Sequence, residues 1–171
     1  KLKSFINCKT KMYCIWLTFD SSNLSEIIIK LAKKYNGPVF EPHCTLVGKT
    51  DVSLLRLKSA IINLMGNYTP IEVHPLKIDY AENIWRALYI ELEEKQILTK
   101  WHENICDLLS INYSKDFLPH ISLMYNDVSR REKERISSKV QLQSVYKICS
   151  IQIVDCNEKV DDWKPVFEQQ I

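Results

Sequence analysis

The apolar positions of the chain follow two alternating periods, one typical of β-strands and one typical of α-helices. Over residues 12–19 every second residue is large and apolar, which predicts a strand with one face in the core. The next apolar residues recur at helical spacing as far as Asn36, Gly37 and Pro38, and Asn23 is placed to cap this helix. The same periods predict a strand ending at Gly48, strands over residues 71–80, 85–92, 118–125, 147–155 and 163–167, and helices over residues 54–65, 96–109 and 130–139.

The predicted elements repeat in the same order. Strand, helix, strand, helix and strand are followed by the same five elements again, and no linker or low-complexity segment separates the halves. An internal duplication of an α+β unit fits this order, with helices outside antiparallel sheets. We therefore predict an α+β fold in which two pseudo-symmetric lobes face a central cleft, within a single domain over residues 1–171. Pro75 marks residues 71–80 as an edge strand or a bulged one.

One strand in each half carries the same short motif. The first copy is Glu41-Pro42-His43-Cys44-Thr45-Leu46 and the second is Leu118-Pro119-His120-Ile121-Ser122-Leu123. Because residues two apart in a strand point to the same face, each copy presents an imidazole beside a hydroxyl. The other two of the four histidines, His74 and His102, have no hydroxyl two residues on, and His102 is expected to face solvent from its helix.

Two histidines and two hydroxyls that converge on one site suit acid–base chemistry on a phosphate ester. Cleavage of a cyclic phosphodiester needs a base for water, an acid for the leaving alkoxide and donors for the phosphoryl oxygens. Histidine takes either acid–base role near neutral pH, so His43 and His120 are the predicted catalytic pair, with their individual roles open. Thr45 and Ser122 are predicted to donate hydrogen bonds to the phosphate.

Composition and motifs narrow the range of functions. A net charge of +2 does not favour sequence-independent binding of long nucleic acid. The sequence has no metal-binding motif and no Gly-rich phosphate loop, so we expect neither a metal nor a cofactor. The six cysteines have no Cys-x-x-Cys spacing and are interpreted as reduced thiols, with Cys44 in a packing role.

The sequence also suggests where the protein resides. No apolar stretch has the length of a transmembrane helix, and residues 1–10 lack the apolar core of a signal peptide. We expect a cytoplasmic monomer that acts on a small nucleotide substrate and does not engage a membrane.

The paired motifs resemble those of the two-histidine phosphoesterase superfamily. Within it, residues 39–46 and 117–125 are most similar to the cyclic phosphodiesterases of the plant and yeast type, and Trp16 and residues 85–91 fit that pattern. The resemblance implies hydrolysis of 2′,3′-cyclic nucleotides to 2′-phosphates and of ADP-ribose 1″,2″-cyclic phosphate to ADP-ribose 1″-phosphate, downstream of tRNA splicing. It also implies that His43 and His120 are the acid–base pair and that Thr45 and Ser122 hold the phosphate.

The resemblance further implies that Trp16 and Tyr125 contact the nucleoside. Trp16 lies on the less apolar face of its strand, which favours a place in the cleft. Strict alternation from His120 puts Tyr125 on the core face, so it reaches the site only where the strand ends or bulges. Trp85 and Tyr89 are further candidates for the cleft, whereas Trp163 is expected to serve packing.

Two alternatives remain open at this point. Other branches of the superfamily act on 2′-5′ linked oligoadenylate, RNA 3′ ends or cyclic oligonucleotide signals. Binding of such longer substrates favours a positively charged surface beyond the central site, and the near-neutral charge of this chain does not indicate one. The second alternative is a non-catalytic module that binds nucleotide or RNA. A matched pair of histidines and hydroxyls argues against it, because binding alone does not require an acid–base pair.

Overall fold

The computed structural model describes residues 10–65, 71–113 and 116–171. Its four α-helices are α1 (Ser22–Tyr35), α2 (Leu54–Met65), α3 (Lys95–Leu109) and α4 (Arg130–Ser137). Its strands are β1 (Tyr13–Phe19), β2 (His43–Thr50), β3 (Glu72–Val73), β4 (Pro75–Asp79), β5 (Leu88–Leu92), β6 (His120–Met124), β7 (Tyr146–Asp155) and β8 (Lys164–Gln170). Two short 3₁₀ helices, Ile84–Arg86 and Val160–Asp162, precede β5 and β8.

The eight strands that the structure describes form one antiparallel sheet. Its order is β3-β7-β1-β2-β6-β5-β4, and β8 also pairs with β7. The last strand of each half pairs with the first strand of the other half, since β4 lies beside β5 and β7 lies beside β1. The halves meet where β2 and β6 pair at Cys44 and Ile121, the central residues of the two motifs. The predicted α+β fold is confirmed, with the sheets of the two lobes joined through this pair.

Helices of one half pack on the motif strand of the other. Helix α1 contacts β6, and α3 contacts β2, so each duplicated unit packs a helix against the motif strand of the other unit. One face of β1 is part of the main hydrophobic core, which includes the side chains of Tyr13, Ile15, Leu17 and Phe19. The opposite face of β1 is buried too, in a second cluster formed by Cys14, Trp16, Val154 and Cys156.

The predicted strand over residues 71–80 is wrong in one respect. The structure has two short strands there, β3 on β7 and β4 on β5, because the chain crosses from one half of the sheet to the other at His74. Pro75 begins β4, which is the edge strand, and the register shifts between Pro75 and Lys77. A proline has no N–H for a ladder and is tolerated at such a position.

Helix boundaries differ from the prediction at α1. Ser21 caps the helix, not Asn23, and its hydroxyl accepts a hydrogen bond from the Leu24 amide at 3.3 Å. The Asn23 side chain instead accepts a hydrogen bond from the Tyr146 hydroxyl at 3.0 Å. At the other end, Asn36 adopts a left-handed backbone with φ of 54°, which ends the helix where the sequence predicted.

The strand predicted over residues 85–92 begins later, at Leu88. Residues Ile84–Arg86 form a 3₁₀ turn, and the side chain of Asn83 caps it by accepting a hydrogen bond from the Arg86 amide at 3.0 Å. Strand alternation therefore does not set the direction of Trp85. Among the described residues, no helix is long and apolar enough to cross a membrane.

Candidate active site

The two motif histidines are held in the same way. His43 Nδ1 lies 2.6 Å from the carbonyl oxygen of Glu41, and His120 Nδ1 lies 2.7 Å from that of Leu118. A carbonyl only accepts hydrogen bonds, so Nδ1 donates in both rings and Nε2 is left for chemistry. The intervening Pro42 and Pro119 have fixed φ and restrict the residue before them to an extended backbone, which fixes these contacts locally.

His43 is enclosed by aromatic rings. Its imidazole is 2% exposed and stacks on Trp16, with ring centroids 3.6 Å apart and planes 10° apart. Phe40 contacts it edge-on at 5.8 Å, and the Tyr125 hydroxyl lies 3.2 Å from Nε2. Burial lowers the pKa of His43 to about 4, against the opposing effect of the Glu41 carbonyl, with a further lowering from His120. His43 is therefore neutral near pH 7.

His120 is more open than His43. It is only partly buried and lines a cavity of about 390 Å³, whereas His43 is not among the residues that line it. Tyr89 contacts the His120 ring edge-on, with centroids 5.2 Å apart. Burial lowers the pKa of His120, the Leu118 carbonyl raises it, and the charge of Arg86 lowers it.

The two motif hydroxyls also differ in their surroundings. Thr45 lines the cavity, and its side chain makes no hydrogen bond to any other residue that the structure describes. Ser122 is buried, and its hydroxyl donates to the carbonyl oxygen of Trp85 at 3.1 Å. The Thr45 hydroxyl is thus free to donate to a ligand, while that of Ser122 must exchange its partner to do so.

Tyr125 reaches the site because β6 ends one residue before it. Its ring stacks on Phe40 with centroids 4.1 Å apart and meets the edge of Trp85 at 5.5 Å. Burial raises the pKa of Tyr125, so the hydroxyl keeps its proton at neutral pH and can donate it to His43 Nε2. Tyr125 thus lines the cavity and also contacts His43, which does not line it.

Trp16, which the resemblance places against the nucleoside, lines the cavity with little of its surface exposed. It is 4% exposed, and one face of its ring is covered by His43. Its main contact positions the histidine. Tyr89, another candidate, is buried against His120 and is not among the residues that line the cavity.

Trp85 and Trp163 supply the open aromatic surface of the cavity. Their rings stack with centroids 5.8 Å and planes 11° apart, and Trp85 is 46% exposed. Trp163 packs near Trp16, as expected, but it also lines the cavity. Sequence periodicity gave no signal for this role, because Trp163 follows a 3₁₀ turn outside any strand.

Two cations at the cavity were also missed by sequence reasoning. Lys49 Nζ lies 5.0 Å from the ring centroid of Trp163 and 6.0 Å from that of Trp85. Arg86 is half-buried and lines the same cavity. Neither forms an ion pair with a carboxylate in the described part of the chain, so both charges are available to an anion. Lys49 lies four residues beyond Thr45 on β2, which is the only sequence signal for either.

The one cluster of potential metal ligands among the described residues does not line the cavity, whereas Cys14 lines it and Cys44 directly follows His43. Within residues 10–65, 71–113 and 116–171, the one group of three such ligands is His74, Glu93 and Glu94, an exposed cluster in which His74 Nδ1 contacts Glu94 at 2.5 Å. The five described cysteines are free thiols, and Cys8 lies outside the described residues. Cys44 is fully buried in the main core, in agreement with a packing role.

This arrangement defines a class of protein. A duplicated α+β unit that places two His-x-Thr/Ser strands side by side, beneath an aromatic cavity with two free cations, is the architecture of a two-histidine phosphoesterase. The family model described as cyclic phosphodiesterase-like protein matches residues 14–171, and the chain belongs to this family.

Solved structures with the same fold span nearly the whole chain. Escherichia coli LigT complexed with 3′-AMP has a TM-score of 0.63 at 14% identity, over 94% of this chain and 98% of that one. TT0787 of Thermus thermophilus has a TM-score of 0.65 at 12% identity, over 93% and 97%. Usb1 of Kluyveromyces marxianus has a TM-score of 0.54 at 11% identity, over 95% and 99%. A search of curated proteins by sequence found no match.

Proposed function

We propose that this protein hydrolyses small cyclic phosphodiesters by acid–base catalysis with two histidines. The substrates are 2′,3′-cyclic nucleotides, opened to 2′-phosphates, and ADP-ribose 1″,2″-cyclic phosphate, opened to ADP-ribose 1″-phosphate. The observation that carries the proposal is the pairing of Cys44 with Ile121, which sets the two motifs side by side. Membership of the cyclic phosphodiesterase-like family supports it, as does the complex of 3′-AMP with LigT, a protein of the same fold.

We propose a separate role for each histidine on the basis of its surroundings. His43 is neutral over a wide pH range and serves as the base, whereas His120 contacts the cavity directly and serves as the acid. A phosphate bound beside His120 favours its protonated form, because an opposite charge raises the pKa of an imidazole. Thr45, Ser122 and the cations Lys49 and Arg86 stabilise the charge that grows on the phosphoryl oxygens.

Tyr125 connects His43 to the substrate. As the attacking water forms its bond to phosphorus, Tyr125 takes a proton from the water and passes its own proton to His43 Nε2, 3.2 Å away. The P–O bond to the 3′-oxygen breaks, and His120 gives its proton to that oxygen. One water is consumed, and exchange with solvent returns His43 to its neutral form and His120 to its protonated form.

Trp85 and Trp163 hold the base of the nucleotide in this proposal. Stacking on aromatic side chains tolerates any base, since every base has a π face. The protein is expected to act as a monomer on a small ligand, and its net charge of +2 does not favour binding of long nucleic acid.

Phosphorus NMR of 2′,3′-cyclic AMP and of ADP-ribose 1″,2″-cyclic phosphate tests this function directly. Wild-type protein is expected to open each to a single regioisomer at the same rate with and without EDTA, whereas His43→Ala and His120→Ala are not. His74→Ala is the matched control, because this exposed histidine bonds to Glu94 outside the cavity and its loss leaves turnover unchanged.

Two outcomes contradict the proposal. Small cyclic phosphates that stay intact with wild-type protein overturn the substrate class. Tight binding of adenosine 2′-phosphate without any turnover identifies a non-catalytic nucleotide-binding module instead.

A further inference from the structure

Two titratable side chains outside the proposed mechanism donate hydrogen bonds to backbone carbonyls. His102 on α3 does not face solvent as the sequence suggested, because its Nδ1 donates to the Leu46 carbonyl oxygen at 2.6 Å. Lys133 on α4 is only 2% exposed, and its Nζ donates to the carbonyl oxygen of Ala81 at 2.9 Å. A neutral imidazole can make such a bond, whereas lysine donates as a charged ammonium group. The burial of Lys133 is therefore the costlier of the two and requires an explanation.

The charge of Lys133 is buried without an opposite charge. No carboxylate in the described part of the chain forms an ion pair with Lys133, and the Ala81 carbonyl is the one acceptor for its Nζ there. Burial of a charge with so few partners costs free energy, and replacement of buried ions by well-packed apolar residues is often neutral or stabilising. Ile136, three residues further along α4, already lies in the main core. An apolar residue at position 133 would therefore suit the fold at least as well as lysine does.

The acceptor of Lys133 belongs to the loop that carries Trp85. This Trp85 loop, residues 80–87, connects β4 to β5, and the Ala81 amide closes it by donating to the Arg86 carbonyl oxygen at 2.9 Å. Ala81, Arg86 and all the residues between them are at least partly exposed, so this part of the loop has no fully buried side chain. Hydrogen bonds, more than apolar contacts, therefore fix the position of the loop.

The Trp85 loop supplies two groups to the cavity. Trp85 and Arg86 both line it, and in the proposed function they contact the base and the phosphate. One bond that holds the loop comes from the Ser122 hydroxyl to the Trp85 carbonyl, and another comes from Lys133 to the Ala81 carbonyl. A hydrogen bond from a charged donor is roughly twice as strong as a neutral one, so Lys133 is the stronger of these two anchors.

We infer that Lys133 is a positioning residue, which holds the Trp85 loop in its nucleotide-binding position before the nucleotide arrives. The inference rests on the proposed function, in which Trp85 and Arg86 bind the nucleotide. A loop that lacks this bond spends only part of its time in that position, and the apparent affinity falls in the same proportion. Bound nucleotide restores the position, so the rate of the chemical step is retained.

Calorimetry with adenosine 2′-phosphate tests the inference without any turnover. Lys133→Met keeps a long side chain at the buried position but removes the donor to Ala81. We expect about tenfold weaker binding, the scale of one lost hydrogen bond from a charged group. Arg131→Met is the matched control, because it removes from α4 an exposed cation that forms no ion pair in the described part of the chain. Its affinity is expected to equal that of the wild type.

Kinetics and a double-substitution cycle separate positioning from a general structural role. With 2′,3′-cyclic AMP, Lys133→Met is expected to raise KM about tenfold and to leave kcat unchanged. In a Trp85→Ala background, Lys133→Met should weaken binding less than it does in the wild type, because its effect passes through the same loop. Fully additive effects, or a fall in kcat with KM unchanged, overturn the inference.

Urea unfolding identifies a purely structural role. Lys133→Met is expected to unfold at the same urea concentration as the wild type or at a higher one. A lower midpoint with wild-type nucleotide affinity means that Lys133 serves stability alone. If Lys133→Met does not fold, Asn83→Ala gives the test, since it removes an exposed cap that accepts from the Arg86 amide at 3.0 Å and loosens the same loop. Asn83→Ala is then expected to bind nucleotide more weakly, and unchanged affinity rejects the inference.

The binding measurement distinguishes failure of this inference from failure of the proposed reaction. Unchanged affinity in Lys133→Met, or no binding of adenosine 2′-phosphate to the wild type, overturns the inference even if the wild type hydrolyses cyclic phosphates. Weaker binding in Lys133→Met supports it even if no cyclic phosphate is hydrolysed.

Discussion

The two motif regions have the same sequence pattern and the same ring anchoring, but His43 is more fully enclosed than His120. The register pairs Trp16 with Thr45 in the first region and Tyr89 with Ser122 in the second, so the two aromatic residues occupy equivalent positions. Trp16 covers the face of His43, whereas Tyr89 touches His120 only by an edge. This duplicated position therefore contributes to the difference, together with Phe40 and Tyr125, which contact His43 as well.

This difference shows how a duplicated motif can supply two unlike groups. Acid–base catalysis needs one neutral and one protonated imidazole at the same pH. Burial lowers the pKa of both imidazoles, that of His43 to about 4, but only His120 lines the cavity, where an anionic ligand favours its protonated form. The asymmetry arises from the neighbouring strands and loops, since both motifs hold Nδ1 identically.

The largest expected effect is the loss of activity when either His43 or His120 is replaced, which tests whether both histidines are needed for catalysis. His43→Ala and His120→Ala should each lower kcat/KM by about 10²–10⁴-fold, the range for loss of a general acid or base. Steady-state kinetics with 2′,3′-cyclic AMP measure this, with His74→Ala as the control. Full activity in His43→Ala means that the enclosed histidine has a structural role only.

The pH dependence of the free energy of unfolding tests the burial of His43. The unfolded chain protonates His43 near pH 6.5 and the folded protein only near pH 4, so the neutral form is favoured by folding. Its contribution, about 3 kcal/mol, is complete above pH 6.5 and is lost as the pH falls towards 4. Urea unfolding between pH 4 and 7 should show a shallower pH slope in His43→Asn, whose amide can still donate to Glu41. Parallel slopes contradict the assigned burial effect.

Tyr125→Phe tests whether His43 acts through a hydroxyl. The ring contacts with Phe40 and Trp85 remain, but the group next to His43 Nε2 is removed. We expect kcat to fall about tenfold to a hundredfold with KM nearly unchanged, because the hydroxyl acts mainly in the transition state. Tyr80→Phe, which removes an exposed hydroxyl bonded to Glu134, is the control. Equal activity in the two variants argues against the relay.

The smallest expected effect concerns the two hydroxyls. Thr45→Val removes an uncommitted donor, whereas Ser122→Ala removes one that is bonded to the Trp85 carbonyl. Thr45→Val should therefore lower kcat more than Ser122→Ala does, and Ser122→Ala should cost about 1 kcal/mol of unfolding free energy. Kinetics and urea titration of both variants measure the two effects. The reverse order in kcat indicates that Ser122 turns towards the phosphate when substrate binds.

Sequence reasoning succeeded where the physical cause was local. The strand and helix periods follow from backbone geometry, and they predicted the duplicated α+β order and a strand that contains both His43 and Thr45. It failed at Ile84–Arg86, where a 3₁₀ turn redirects Trp85, and at His74, where the chain changes sides of the sheet. In both places a turn interrupts the strand that the alternation of apolar residues predicts. The alternation itself does not reveal where such a turn occurs.

The sequence by itself determined the fold class and the two His-x-Thr/Ser units, because alternation and repetition act over a few residues. Only the tertiary structure decided that Trp16 closes over His43, that Tyr125 bonds to it, and that Trp163 meets Trp85 beside Lys49. These contacts join segments far apart in the chain. Their geometry depends on the register of the paired strands and on the residue at which each turn ends. The unequal environments of two equal motifs are therefore a property of packing.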